Sequence, residues 1–147
     1  VEISQKIQEL VKTFTAFNSW EDRYKKLIEL GKTLPGMSPE QQIEANKVKG
    51  CQSQVWLAAR LENGKVFFSA DSDASIVKGI IALLLSVYSG ETPDTILACR
   101  PTFLEDIGLK QHLSMSRAGG LNAMMKQINL YALAFKAQIQ MNKGNQQ

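Results

Sequence analysis

The sequence is poor in the residues that build metal and nucleophile centres: two cysteines, Cys51 and Cys99, and one histidine, His112, in 147 residues. Structural zinc usually takes four Cys or His ligands and catalytic zinc three protein ligands, so no metal site and no metal cofactor are expected. No GxxxxGK[ST] and no GxGxxG run occurs, which leaves no phosphate-cradling loop. GxSxG is missing too, and His112 has no evident nucleophile partner. The longest apolar run, Ile80 to Leu85, is far short of the about 20 residues a membrane span needs. The opening VEISQKIQEL lacks the charged start and apolar stretch of a signal peptide. These absences predict a cytoplasmic protein whose two thiols stay reduced. Its formal net charge of +3 comes from scattered lysines and arginines that are not interleaved with aromatics, which argues against nucleic-acid binding.

What is present has the balance of an ordinary globular chain, 44% apolar and 21% charged, at the length of one domain. The expected organisation is a single domain over residues 1–142, with a polar tail over 143–147 that frays. Ile3, Ile7, Leu10, Val11 and Phe14 recur at helical spacing. Ser19, with Asp22 three residues on, caps a second helix that carries Trp20, Tyr24, Leu27, Ile28 and Leu30 inward. Gly31 and Pro35 end it, and Ser38-Pro39-Glu40 predicts a short helical turn. Asn63-Gly64 is a strong hairpin signal between two runs of strand formers, Val55 to Glu62 and Lys65 to Ala70, with Val48 in a candidate edge strand. Asp71-Ser72-Asp73 then reads as the cap of a helix from Ala74 to Tyr88 that is apolar on most of its surface. Short helices are expected after Thr92 and at Phe103 to Ile107. Ser114 or Ser116 caps a long last helix with Leu121, Met124, Met125, Ile128, Tyr131, Leu133 and Phe135 inward. Helices, strands, then helices make an α+β fold, its helices packed on one face of a small antiparallel sheet.

The residue that invites chemistry is Cys51, in KVKGCQSQVW. Gly50 before it can take backbone angles closed to other residues, and polar Gln52, Ser53 and Gln54 follow. That setting is a loop tip or strand edge rather than an apolar stripe. Lys47 and Lys49 are near in sequence and would favour a thiolate, the form that attacks sulfur. A small buried hydrophobe is the other reading of a free cysteine, and local sequence leaves both open. Cys99, in ILACRPTF, follows an apolar run and is expected to fill core.

The stretch GCQSQVW resembles the active-site segment of SufE-type sulfur-acceptor proteins, including the CsdE type. Four further motifs match in the family's order: Trp20-Glu21-Asp22-Arg23-Tyr24, Leu30-Gly31 with Leu34-Pro35, Asp71-Ser72-Asp73 with Ile76-Val77-Lys78-Gly79, and Leu113-Ser114 with Ser116-Arg117 and Gly120-Leu121. The resemblance implies a fold similar to the IscU-type iron–sulfur scaffold. It also implies a sulfur-transfer accessory protein rather than a stand-alone enzyme. Cys51 would take persulfide sulfur from a pyridoxal-phosphate cysteine desulfurase, stimulate that enzyme, and pass sulfur to a downstream iron–sulfur scaffold. No cofactor of its own is implied. Gly50, Gln52 and Gln54 would shape the loop, and Asp73 and Arg117 would serve the loop or the partner surface. For Asp73 the competing reading is a helix N-cap, and for Arg117 a solvated first-turn arginine. Three other classes remain at this point: a scaffold that itself binds metal or cluster, an adaptor without sulfur chemistry, and an independent thiol enzyme. The sequence leaves open the particular desulfurase, the final acceptor, any role of Cys99 and His112, and whether two copies form a homodimer.

Overall fold

The computed structural model describes residues 2–145. Helix α1 (Ile3–Thr15) lays its apolar stripe on the core through Phe14. Helix α2 (Trp20–Gly31) starts where expected, the Ser19 hydroxyl accepting from the Asp22 amide at 3.2 Å. Ser38-Pro39-Glu40 forms a single turn, the Ser38 carbonyl accepting from the Gln41 and Gln42 amides at 2.9 and 3.1 Å, and a 3-10 turn follows at Glu44–Asn46. Strands β1 (Val55–Glu62) and β2 (Lys65–Ser72) pair antiparallel, from Val55 opposite Ser72 to Glu62 opposite Lys65. Asn63 and Gly64 both take positive φ, 53° and 77°, the geometry a two-residue hairpin turn demands. Val48 is not in a full strand. Its amide donates to the Val55 carbonyl at 2.8 Å beside a lone bridge from Lys47 to Trp56.

One face of the hairpin is buried through Val55, Leu57, Val66, Phe68 and Ala70. The other face is wetter, with the Arg60 guanidinium 4.9 Å over the Phe67 ring. Helix α3 (Ser75–Tyr88) runs through the middle of the core, with Ile80, Ile81, Leu83, Leu84 and Val87 essentially sealed from water. Each such side chain contributes about 1.5–3 kcal/mol of burial. Short helices α4 (Pro93–Ala98), α5 (Phe103–Ile107) and α6 (Leu109–His112) lead into the long α7 (Met115–Asn145). Thr92 caps α4 by accepting from the Thr95 amide at 3.2 Å. The Tyr131 hydroxyl ties α7 to the sheet by donating to the Leu57 carbonyl at 3.2 Å. The fold is thus α+β, with helices on one face of a two-stranded antiparallel sheet.

Helices α2 and α3 meet backbone to backbone. A Cβ on Gly79 would run into the Leu27 carbonyl, and one on Gly31 would lie 2.7 Å from the Gly79 nitrogen. Gly31 and Gly79, both inside the matched motifs, are therefore required by packing.

Three local expectations need correction. Asp71 and Ser72 end β2, and Ala74 is the N-cap of α3 with no side-chain cap, so Asp73 is not the cap. The Ser72 hydroxyl oxygen accepts from the Ala74 amide instead, at 3.3 Å. Leu133 is 52% exposed, and its turn of α7 buries Ala132. Cys99 is half-buried at the end of α4 rather than sealed in the core. Helix α7 is continuous to Asn145, and Gln146 and Gln147, in the expected tail, lie outside the described residues.

Candidate functional site around Cys51

Cys51 lies in the loop that enters β1, held against the first turns of α7. Gly50 takes φ +94°, and a Cβ there would meet Ala123 at 3.4 Å, so the chain turns at Gly50 close to α7. This places the Cys51 sulfur beside Gly120, whose carbonyl oxygen is 3.7 Å away. A Cβ on Gly120 would lie 3.5 Å from that sulfur. Glycine at this position lets the thiol approach the helix and leaves space next to it.

That space is part of a cavity of about 460 Å³. Val77 and Ile80 of α3 and Met124 of α7 form its apolar side, and Gln52, Ser53, Ser114, Ser116 and Arg117 its polar side. Cys51 itself is half-buried, and burial pushes its thiol up from the ordinary cysteine value. The expected help from Lys47 and Lys49 is not what the geometry provides. Lys47 pairs with Glu44 at 3.8 Å, and both lysines line a separate groove along α7. Val48, Val55 and Trp56, close to Cys51 along the chain, do not line the cavity; Val48 and Val55 are packed in the core and Trp56 continues β1.

The predicted companions of Cys51 divide into three groups. Arg117 and Gln52 line the same cavity as the thiol. Asp73 and Gln54 meet each other, the Asp73 carboxylate accepting from the Gln54 amide at 3.1 Å and the Asp73 amide donating to the Gln54 carbonyl at 3.3 Å. Asp73 therefore closes the loop onto the start of α3. Gly50 supplies the turn. His112 stands apart, stacked on Trp20 with ring centroids 4.4 Å apart, and is not among the cavity-lining residues.

Residue pairings not foreseen from the sequence join distant segments of the chain. The Tyr24 hydroxyl accepts from Arg117 Nη1 at 2.8 Å, across 93 positions of sequence. Arg23 donates to the Phe17 and Ile107 carbonyls, at 3.0 and 2.6 Å. Asp71, buried enough to disfavour its charge, is nevertheless held below the usual carboxylate range by the Ser72 amide, the charge and hydrogen bond of Lys78, and the Met37 amide. The signal for these contacts was the compact motif at Trp20–Tyr24, but nothing in it named the partners.

Among the described residues no three His, Cys, Asp or Glu side chains group to hold a metal ion. No helix among them is long and apolar enough to cross a membrane.

The chemistry open to this arrangement is that of a sheltered nucleophile. A thiolate at Cys51 can attack an electrophilic sulfur, and the apolar side of the cavity can keep other thiols from the product.

Comparison with known proteins adds a family to this geometry. Residues 8–132 match the family model for SufE, described as an Fe-S metabolism associated domain. An uncharacterised SufE-like protein of Synechocystis is 42% identical over 130 residues, covering 88% of this chain and 82% of its own length. A second, from Rhizobium etli, is 41% identical over 128 residues, covering 83% of this chain and 86% of its own. Among solved structures, a hypothetical protein of Thermus thermophilus superposes with a TM-score of 0.75 at 25% identity, over 90% of this chain and 96% of the other.

Proposed function

The chain belongs to the SufE family and so to iron–sulfur metabolism, and from that premise we propose that Cys51 is a sulfur acceptor served by a cysteine desulfurase. One observation carries the reading: Cys51 faces a cavity with room for a further sulfur atom and with Arg117 in its wall. The donor is the persulfide that a pyridoxal-phosphate desulfurase builds on its own cysteine. The Cys51 thiol first gives up its proton to solvent. Its thiolate then attacks the outer sulfur of the donor; a new sulfur–sulfur bond forms at Cys51, the donor's own breaks, and the donor cysteine leaves as a thiolate. Nothing is oxidised or reduced overall, since the sulfane sulfur only changes carrier. Turnover of the desulfurase rises because its cysteine is freed, and an iron–sulfur scaffold receives the sulfur from Cys51.

Burial raises the Cys51 pKa and so lowers the thiolate fraction at neutral pH. A loop with two states reconciles shelter with attack: the thiol tucked in as observed, and turned outward about Gly50 when the desulfurase docks. The deciding experiment mixes the protein with its desulfurase, free cysteine and a reductant, and follows sulfide release. Cys51→Ser is expected to remove the stimulation. Full stimulation by that variant would make the protein an adaptor without sulfur chemistry and end this reading.

A further inference from the structure

We propose that Arg117 gives the Cys51 cavity a preference for anionic sulfur donors, and that Tyr24 is the positioning residue that holds Arg117 there. This deepens the sulfur-acceptor reading by naming the charge class of the substrate, and it is tested without any desulfurase.

Arg117 sits in the first turn of α7, is exposed, and lines the cavity that Cys51 faces. Among the described residues no carboxylate lies within ion-pair distance of it. Its side-chain partner is a neutral oxygen, the Tyr24 hydroxyl at 2.8 Å. A carboxylate there would fix the arginine and cancel its charge. A phenol fixes it and leaves the charge intact, with the remaining donors of the guanidinium fork free. An arginine held in this way lowers the energy of an anion entering the cavity. A persulfide is such an anion, and so is the thiolate that departs when its outer sulfur is taken. The cavity's other polar groups, from Ser114, Ser116, Gln52 and Ser53, are neutral. The selective charge is therefore that of Arg117.

Tyr24 reaches this position because α2 is fixed at two places. The Tyr24 ring packs edge-on to Trp20, with centroids 6.1 Å apart, and Trp20 stacks on His112 at the end of α6. One residue earlier, Arg23 bonds the Ile107 carbonyl at the end of α5. Tyr24→Phe removes the hydroxyl and keeps the ring, so it releases Arg117 with the packing around Trp20 preserved.

The test compares alkylation of Cys51 by iodoacetate, an anion, with alkylation by neutral iodoacetamide, in a Cys99→Ser background at low salt. The ratio of the two rates cancels changes in thiol pKa and in access, and reports the charge felt by the incoming reagent. Arg117→Ala is expected to lower the ratio about five-fold, as loss of one nearby cation should, and added salt should shrink the difference. Tyr24→Phe is expected to lower the ratio by at least half as much, at an unchanged melting temperature. Adding it to Arg117→Ala should then change nothing more. An unchanged ratio in Arg117→Ala overturns the anion preference. A reduced ratio in Arg117→Ala with a wild-type ratio in Tyr24→Phe, or an equal extra loss in the double variant, overturns the positioning role of Tyr24.

Discussion

Cys51 and Cys99 are both free, both half-buried, and burial pushes both thiols above the ordinary cysteine value. Their surroundings differ. Cys51 faces a cavity with a cation in its wall and a glycine beside its sulfur. Cys99 ends a short helix, its sulfur 3.8 Å from the Arg100 carbonyl and its own carbonyl accepting from the Tyr88 hydroxyl at 2.9 Å. The charge of Glu91 further opposes a Cys99 thiolate. Exposure and pKa alone would not separate the two. What marks Cys51 out is the cavity it lines, with Arg117 in the wall.

The largest expected effect tests that contrast directly. Cys51→Ser should abolish stimulation of desulfurase sulfide release, and Cys99→Ser should keep most of it; equal loss in both variants would erase the distinction. Next comes Gly120→Ala, whose methyl would occupy space 3.5 Å from the Cys51 sulfur. Alanine is the better helix former by about 0.5–1 kcal/mol, so melting should not fall much while persulfide recovered on Cys51, read by intact mass, drops about ten-fold. Normal persulfide loading would show that the outer sulfur goes elsewhere. Arginines near each thiol sharpen the comparison further: Arg117→Ala should lower stimulation a few-fold at an unchanged melting temperature, and Arg100→Ala should leave it alone. Smallest is the effect on intrinsic reactivity. With raised pKa values, both thiols should alkylate with iodoacetamide a few times more slowly than a peptide cysteine near neutrality, the rates climbing as pH rises into the alkaline range. Binding of a desulfurase that lacks its own reactive cysteine should speed Cys51 and not Cys99. A Cys51 rate already equal to that of a peptide would remove the sheltered state.

Much of this was readable from local patterns. Asn63-Gly64, the Ser19 and Thr92 caps and the helical spacing of α1 depend on neighbours a few residues away, and they fell where expected. Cys51 stood out because glycine and three polar residues frame it. Failures came where distance in sequence hides proximity in space. Val77, Ile80 and Met124, all more than twenty positions from Cys51, form the apolar wall, since strand alternation and helix crossing, not adjacency, decide which side chains meet. Lys47 and Lys49 were credited to the thiol for being near it along the chain, yet they line another groove. Asp73 bonds Gln54 instead of capping α3, because Asp71 and Ser72 extend β2 past the point where an acidic run would ordinarily begin a helix.

The glycine contact between α2 and α3 has a mechanical meaning. With Gly31 against Gly79 and no side chain between the two backbones, neither helix can slide or roll without a steric collision. Helix α3 supplies Val77 and Ile80 of the cavity wall, and α2 supplies the Tyr24 hydroxyl that restrains Arg117. Wall and restraint therefore belong to one stiff frame. Any breathing of the cavity must be borne by what leans on that frame from outside, the loop through Gly50 and the opening turns of α7. Amide exchange should draw the boundary, with residues 27–31 and 79–83 opening only on global unfolding and residues 115–120 opening far sooner.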